Sequence, residues 1–137
     1  MTGDRAWIAL DRGQCIELLR TARYGRLATT ARALPTILPV AIELHEEDLS
    51  LWPLLSADVQ VIPDQVVALE TGDLFNFEGA AWSVVVRGML DSNVRSGNDL
   101  DEPGACGLIA PSGFRLATEF LSGWSSIGGI QGRLTAP

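Results

Sequence analysis

Apolar side chains recur at Cys15, Leu18, Leu19 and Ala22, the i, i+3, i+4, i+7 spacing that puts them on one face of a helix. Asp11, with Gln14 three positions on, has the form of a capping box, so the pattern predicts a short helix that starts here and docks by that stripe. Gly25 is the expected point of exit. From Arg26 the period changes to two. Arg26 to Thr30 is a first strand, Ala33-Leu34-Pro35 interrupts it, and Leu38, Val40, Ile42 and Leu44 then alternate with Pro39, Ala41 and Glu43. Pro39 fits an edge strand or a bulge. Glu46-Glu47-Asp48 makes a polar turn, and Leu49 to Leu54 is a third strand with an irregular position at Pro53.

Ser56 to Ile62 has the composition of a short helix ended by Pro63, and Val66 to Thr71 gives a fourth strand. The clearest strand follows, where Trp82, Val84 and Val86 alternate with Ser83, Val85 and Arg87. Ser92 to Gly107 reads as the long loop of the molecule, Phe114 to Leu121 as a sixth strand, and 128–137 as a flexible tail. One helix and six strands in hairpin order, with no βα alternation, predict a mainly β domain over 1–127. Its architecture is a six-stranded antiparallel barrel with short helices.

Composition narrows the functional classes. The 137 residues suit one domain, and a net charge of −7 argues against a nucleic-acid surface, which needs clustered cations. All ten basic residues are Arg, so lysine-based chemistry is excluded. No apolar run reaches the ~18 residues of a membrane span. The mixed charges of residues 1–13 do not form a secretory signal, which gives the expectation of a soluble, cytoplasmic protein. Cys15 and Cys106 lack metal-knuckle or CxxC spacing and read as buried or incidental thiols. His45, the single histidine, sits beside Glu46 and Glu47 at a turn and has no nucleophile pattern to activate.

Taken in order, three segments resemble the pyridoxamine 5′-phosphate oxidase-like family of FMN-binding split barrels, in particular its short members. They are Gln14-Cys15-Ile16-Glu17-Leu18-Leu19 followed by Tyr24-Gly25-Arg26-Leu27-Ala28-Thr29, then Pro35-Thr36-Ile37-Leu38-Pro39-Val40, then Ala81-Trp82-Ser83-Val84-Val85-Val86-Arg87-Gly88. Leu121-Ser122-Gly123-Trp124 is similar to the family's closing turn. The resemblance spans roughly residues 11–127. It implies a homodimer with a small-molecule groove at the interface, FMN or a related deazaflavin as cofactor, and oxidoreductase chemistry carried by that cofactor.

The same resemblance assigns candidate cofactor contacts to Thr29, Pro39, Val40 and Ala41 through their backbones, and to Trp52, Ser56, Gln60, Trp82 and Arg87. Several have a plainer explanation. Trp82 either stacks on the flavin ring or fills the core, Ser56 and Gln60 either meet the phosphate or ribityl chain or cap a helix, and Arg87 either anchors an anion or pairs with Glu70 or Glu43. In the family, phosphate-binding cations sit on the third strand and at the start of the next helix. Here that region reads Trp52 to Gln60, and no Lys or Arg occurs between Arg32 and Arg87. A phosphate dianion needs cations or oriented amides, so the phosphate site is eroded. Three readings are open: flavin held by Arg26, Arg87 or a partner arginine, another ligand in the same groove, or a dimeric binding or scaffold protein that has lost the flavin.

Overall fold

The computed structural model describes residues 7–54, 64–74, 79–92 and 113–126. In chain order these form β1 (Trp7–Ala9), α1 (Arg12–Thr21), β2 (Tyr24–Ala31), β3 (Leu34–His45), β4 (Asp48–Pro53), β5 (Val66–Asp73), β6 (Trp82–Met89), β7 (Phe114–Ala117) and β8 (Phe120–Ser126). The strands make one antiparallel sheet in the order β1-β8-β6-β5-β2-β3-β4-β7. The predicted helix of Ser56 to Ile62, most of the Ser92 to Gly107 loop and the 128–137 tail lie outside the described residues.

Connectivity forces this sheet to roll. β7 is at one end of the order and β8 is near the other, yet only Thr118 and Glu119 separate them in sequence. Three residue steps reach about 10 Å at full extension, so the two ends of the sheet must come together. Asp91, just beyond β6, closes the roll by a reciprocal backbone bridge with Arg115 of β7, at 2.9 and 2.7 Å. The closed circuit β6-β5-β2-β3-β4-β7 has the six strands that the sequence predicts, and β8 and β1 extend the sheet past β6. The fold is a split antiparallel barrel.

Thr118 pins the corner where the ends meet. It is buried, its hydroxyl and N–H both donate to the Glu47 carbonyl at 2.7 and 3.1 Å, and Arg12 donates to its carbonyl and hydroxyl at 2.7 and 3.2 Å. One residue thus ties the start of α1, the β3–β4 turn and the β7–β8 corner. The helix begins as its sequence dictates: the Asp11 side chain accepts the Gln14 N–H at 2.8 Å and the Gln14 side chain accepts the Asp11 N–H at 2.9 Å.

α1 ends at Ala22, whose backbone is extended, so the chain leaves the helix without using Gly25, which lies inside β2. Its stripe of Cys15, Leu18 and Leu19 joins the inward side chains of the barrel, among them Leu27, Leu38, Val40, Ile42, Leu51, Leu69, Trp82, Val84, Val86 and Leu116. The helix packs on the adjacent pair β6 and β8 and on β3, which β5 and β2 separate from them in the sheet, and so plugs one end of the barrel.

Four local differences from the sequence pattern have physical reasons. Phe114 to Leu121 is two strands, because Thr118 takes the corner. The Leu121-Ser122-Gly123-Trp124 segment is part of β8 and not a turn: a Cβ at Gly123 would lie 2.7 Å from the Cys15 sulfur, so glycine here admits the helix against the sheet. β1 is an addition that three residues alone could not signal. Pro39 sits in a central strand and not at an edge. Its carbonyl accepts the Leu54 N–H at 3.0 Å, so its missing N–H also faces β4, where that ladder is ending.

Two stability tests follow from this geometry. Gly123→Ala is expected to lower unfolding free energy by about 1–3 kcal/mol through overpacking against Cys15, measured by denaturant melting. The β2–β3 hairpin turns through Arg32 and Ala33 at φ 55° and 66°, the left-handed region that favours glycine. Ala33→Gly is expected to raise stability by about 1 kcal/mol in the same assay, and a loss would refute the left-handed turn.

Candidate functional site

Strand alternation sorts the side chains into two sets. Leu27 and Thr29 of β2, Leu38, Val40 and Ile42 of β3, and Trp82, Val84 and Val86 of β6 point inward, while Arg26, Ala28, Pro39, Ala41, Ser83, Val85 and Arg87 lie on the outer face. On that outer face an open groove of roughly 320 Å³ runs between the beginning of β2 and the end of β5. Its walls are Tyr24, Arg26, Glu70, Asp73 and Leu74, with Gly25, Thr71 and Gly72 completing the lining.

Cross-strand register builds the groove's polar side. Arg26 stands opposite Glu70, and its guanidinium donates to one carboxylate oxygen at 2.6 and 3.1 Å, while the Ser83 hydroxyl donates to the other at 3.0 Å. The acid is thereby held in one orientation and the arginine is neutralised. The Thr71 hydroxyl donates to the Tyr24 carbonyl at 2.8 Å, which fixes the narrow end. Tyr24 and Leu74 are about half exposed, at 55% and 44%, and supply the apolar surface. Gly72 lets β5 and β6 approach closely at this end, since a Cβ there would collide with the Trp82 carbonyl oxygen.

The candidate residues divide between the faces. Pro39 and Ala41 are the ladder partners of Arg26 and Tyr24, and Trp52 is the partner of Ala41, so the three lie on the far side of β2 from the groove and none of them lines it. Ala41 and Trp52 are buried but stand outside the main core cluster. Val40 and Trp82 belong to that core, and their side chains face the barrel interior. Thr29 is also inward and buried, and its hydroxyl has no hydrogen-bond partner among the described residues. Arg87 is exposed, between Ala68 and Phe120, with no ion-pair partner among the described residues; Glu70, one of the two acids considered for it, is taken by Arg26. Ser56 and Gln60 lie outside the described residues.

Sequence reading finds Arg26 but misses Tyr24, Glu70, Gly72 and Asp73 as a group. The signal exists only in the register of β2 against β5, which joins residues 44 positions apart. Other chemistry is thin. Among the described residues no group of three His, Cys, Asp or Glu side chains could hold a metal ion. His45 is half-buried beside Glu43, at 3.5 Å.

Cys15 is fully buried, and burial, with the Asp11 charge adding to it, raises its thiol pKa above the ordinary value. A folded pKa above the unfolded one gives stability that is complete below the unfolded value and is lost as pH rises through the folded one, so the effect is confined to alkaline solution. The thiol is expected to resist a disulfide reagent at pH 8 in native protein and to react at once in denaturant. Fast labelling of the native state at Cys15, read by mass spectrometry, would contradict its burial.

The sequence model of the family described as pyridoxamine 5′-phosphate oxidase matches residues 11–99. No curated protein matches the chain in sequence. Among solved structures the chain is similar to the FAD binding protein from Mycobacterium smegmatis, with a TM-score of 0.63 and 20% identity over 88% of this chain and 98% of that one. It is similar to a FAD-binding protein from Mesorhizobium loti, with a TM-score of 0.61 and 20% identity over 87% and 97%. It is also similar to a conserved protein of unknown function from Corynebacterium diphtheriae, with a TM-score of 0.64 and 19% identity over 88% and 98%. Likeness at these identities establishes a shared fold.

Proposed function

The chain belongs to the pyridoxamine 5′-phosphate oxidase family, and from that membership we propose that it is a homodimeric flavin-binding split-barrel protein, acting as an oxidoreductase with FMN or a related deazaflavin. The observation that carries the reading is the groove on the outer face. Its half-exposed Tyr24 and Leu74 present apolar surface to a flat ring, and its polar groups are already ordered by Glu70. Two of the similar structures are FAD-binding proteins. When bound, a flavin supplies the electron and hydride chemistry, and the protein's part is to hold the ring and shield it from water.

The fit is uneven. The groove suits a ring, but its one cation, Arg26, is committed to Glu70, and Asp73 is a second acid at the rim. These residues do not match a phosphate dianion. That mismatch favours a second reading, a dimeric binding or scaffold protein that has lost the flavin.

Support for the dimer lies beside the groove. Ile37, Ala28, Ala68, Arg87 and Phe120 are successive ladder partners across β3, β2, β5, β6 and β8, and Val66 pairs with Met89 two positions along β5 and β6. Ile37 and Val66 are 69% exposed and Phe120 is 64% exposed, so a mostly apolar strip crosses five strands and adjoins the groove. Such patches mark association surfaces, and a second copy laid on this one by a two-fold axis would also wall the groove.

Two measurements decide. Flavin absorbance of the purified protein and a fluorescence titration are expected to show saturable micromolar binding; none up to millimolar flavin selects the second reading. Light scattering is expected to give a dimer at micromolar concentration, and Ile37→Asp with Phe120→Asp is expected to give a folded monomer. A wild-type monomer would remove the interface groove from both readings.

A further inference from the structure

We infer that the groove selects flavins by their ring and discriminates against their phosphate, so that uncharged riboflavin binds more tightly than FMN. The inference rests on the flavin reading above and adds to it the ligand class this chain prefers. Its basis is a charge count at the groove itself: Arg26 contributes one positive charge, and Glu70 and Asp73 contribute two negative ones. The positive charge is not available, because the guanidinium lies 2.6 Å from the Glu70 carboxylate, and Glu70 is held in place by Ser83 at 3.0 Å. An incoming phosphate therefore meets a net negative rim.

Sequence extends the count beyond the groove. No Lys or Arg occurs from Ala33 to Val86, the stretch that contains β3, β4, β5 and the start of β6, and the chain as a whole carries −7. Both the local and the overall field oppose a dianion. What remains attractive carries no positive charge: the exposed ring of Tyr24, the side chain of Leu74, and acceptor oxygens on Glu70 and Asp73. Acceptors suit the ring N–H and the sugar-like hydroxyls of a riboflavin. The same features would disfavour any nucleotide at this place.

The test is a pair of fluorescence titrations, with riboflavin and with FMN, repeated at low and high salt. At low salt riboflavin is expected to bind about fivefold more tightly than FMN, and the gap is expected to close between ~20 mM and ~500 mM salt because screening weakens only the phosphate repulsion. Glu70→Gln frees Arg26, and Asp73→Asn removes a rim charge; each is expected to narrow the riboflavin-over-FMN preference by about threefold. Both sites are at least partly exposed, and circular dichroism checks that the variants fold. FMN binding as tightly as or more tightly than riboflavin at low salt would overturn the inference and would point to a cation from the partner copy. Absence of binding by either ligand would overturn the flavin reading itself, and the inference with it, so the two failures are distinguishable.

Discussion

The whole molecule depends on the two-residue corner between β7 and β8. Because Thr118 and Glu119 must carry the chain from one end of the sheet to a strand near the other, a flat sheet is not available to this topology. Rolling creates an inside, and the inside is what the aliphatic alternation of β2 to β6 requires. Thr118 holds the corner with hydrogen bonds that would otherwise leave buried polar groups unsatisfied, at a cost of about 1–3 kcal/mol each. The arginine it binds, Arg12, comes from the first turn of α1, so the plug at the end of the barrel and the closure of the barrel share one joint.

Rolling also decides where ligand chemistry can occur. Large inward side chains such as Leu27, Leu69, Val84 and Leu116 fill the barrel, and a small six-stranded barrel has no spare interior for a cofactor. The open groove lies instead on the outer face, between β2 and β5. The outer face is also where charge is least buffered: Arg26 and Glu70 neutralise each other in a partly exposed pair that adds little stability but fixes the orientation of the acid. The same pair both shapes the groove and removes its cation.

Much of the architecture was legible because it rests on local rules. The capping box at Asp11 and Gln14, the helix stripe ending in Leu18 and Leu19, and the alternation through Leu38, Val40 and Ile42 each encode an element in adjacent residues, and each element formed. What was not legible depends on pairing between distant segments. Nothing in the neighbourhood of Pro39 says that β4 ends beside it, and nothing near Gly123 says that a cysteine sulfur lies against it. The groove is the extreme case. Tyr24 and Asp73 belong to no motif, and only the register of two strands makes them neighbours, whereas Trp82 sits in a recognisable motif and proves to be a core residue.

That contrast bears on how family membership should be read. Segments shared with the family, such as Ala81 to Gly88, are mostly inward or ladder-forming positions, and they carry the barrel and not a ligand site. Charge on the outer face can change without disturbing them, since exchanging a surface cation for an acid moves stability little. A chain can therefore keep every barrel signature while inverting the electrostatics of its groove. Fold evidence and ligand evidence then come from different residues, and for this protein they point in different directions: the inward set to a barrel of this family, the outward set to a groove that presents an aromatic ring and ordered acceptors and whose one cation is already paired.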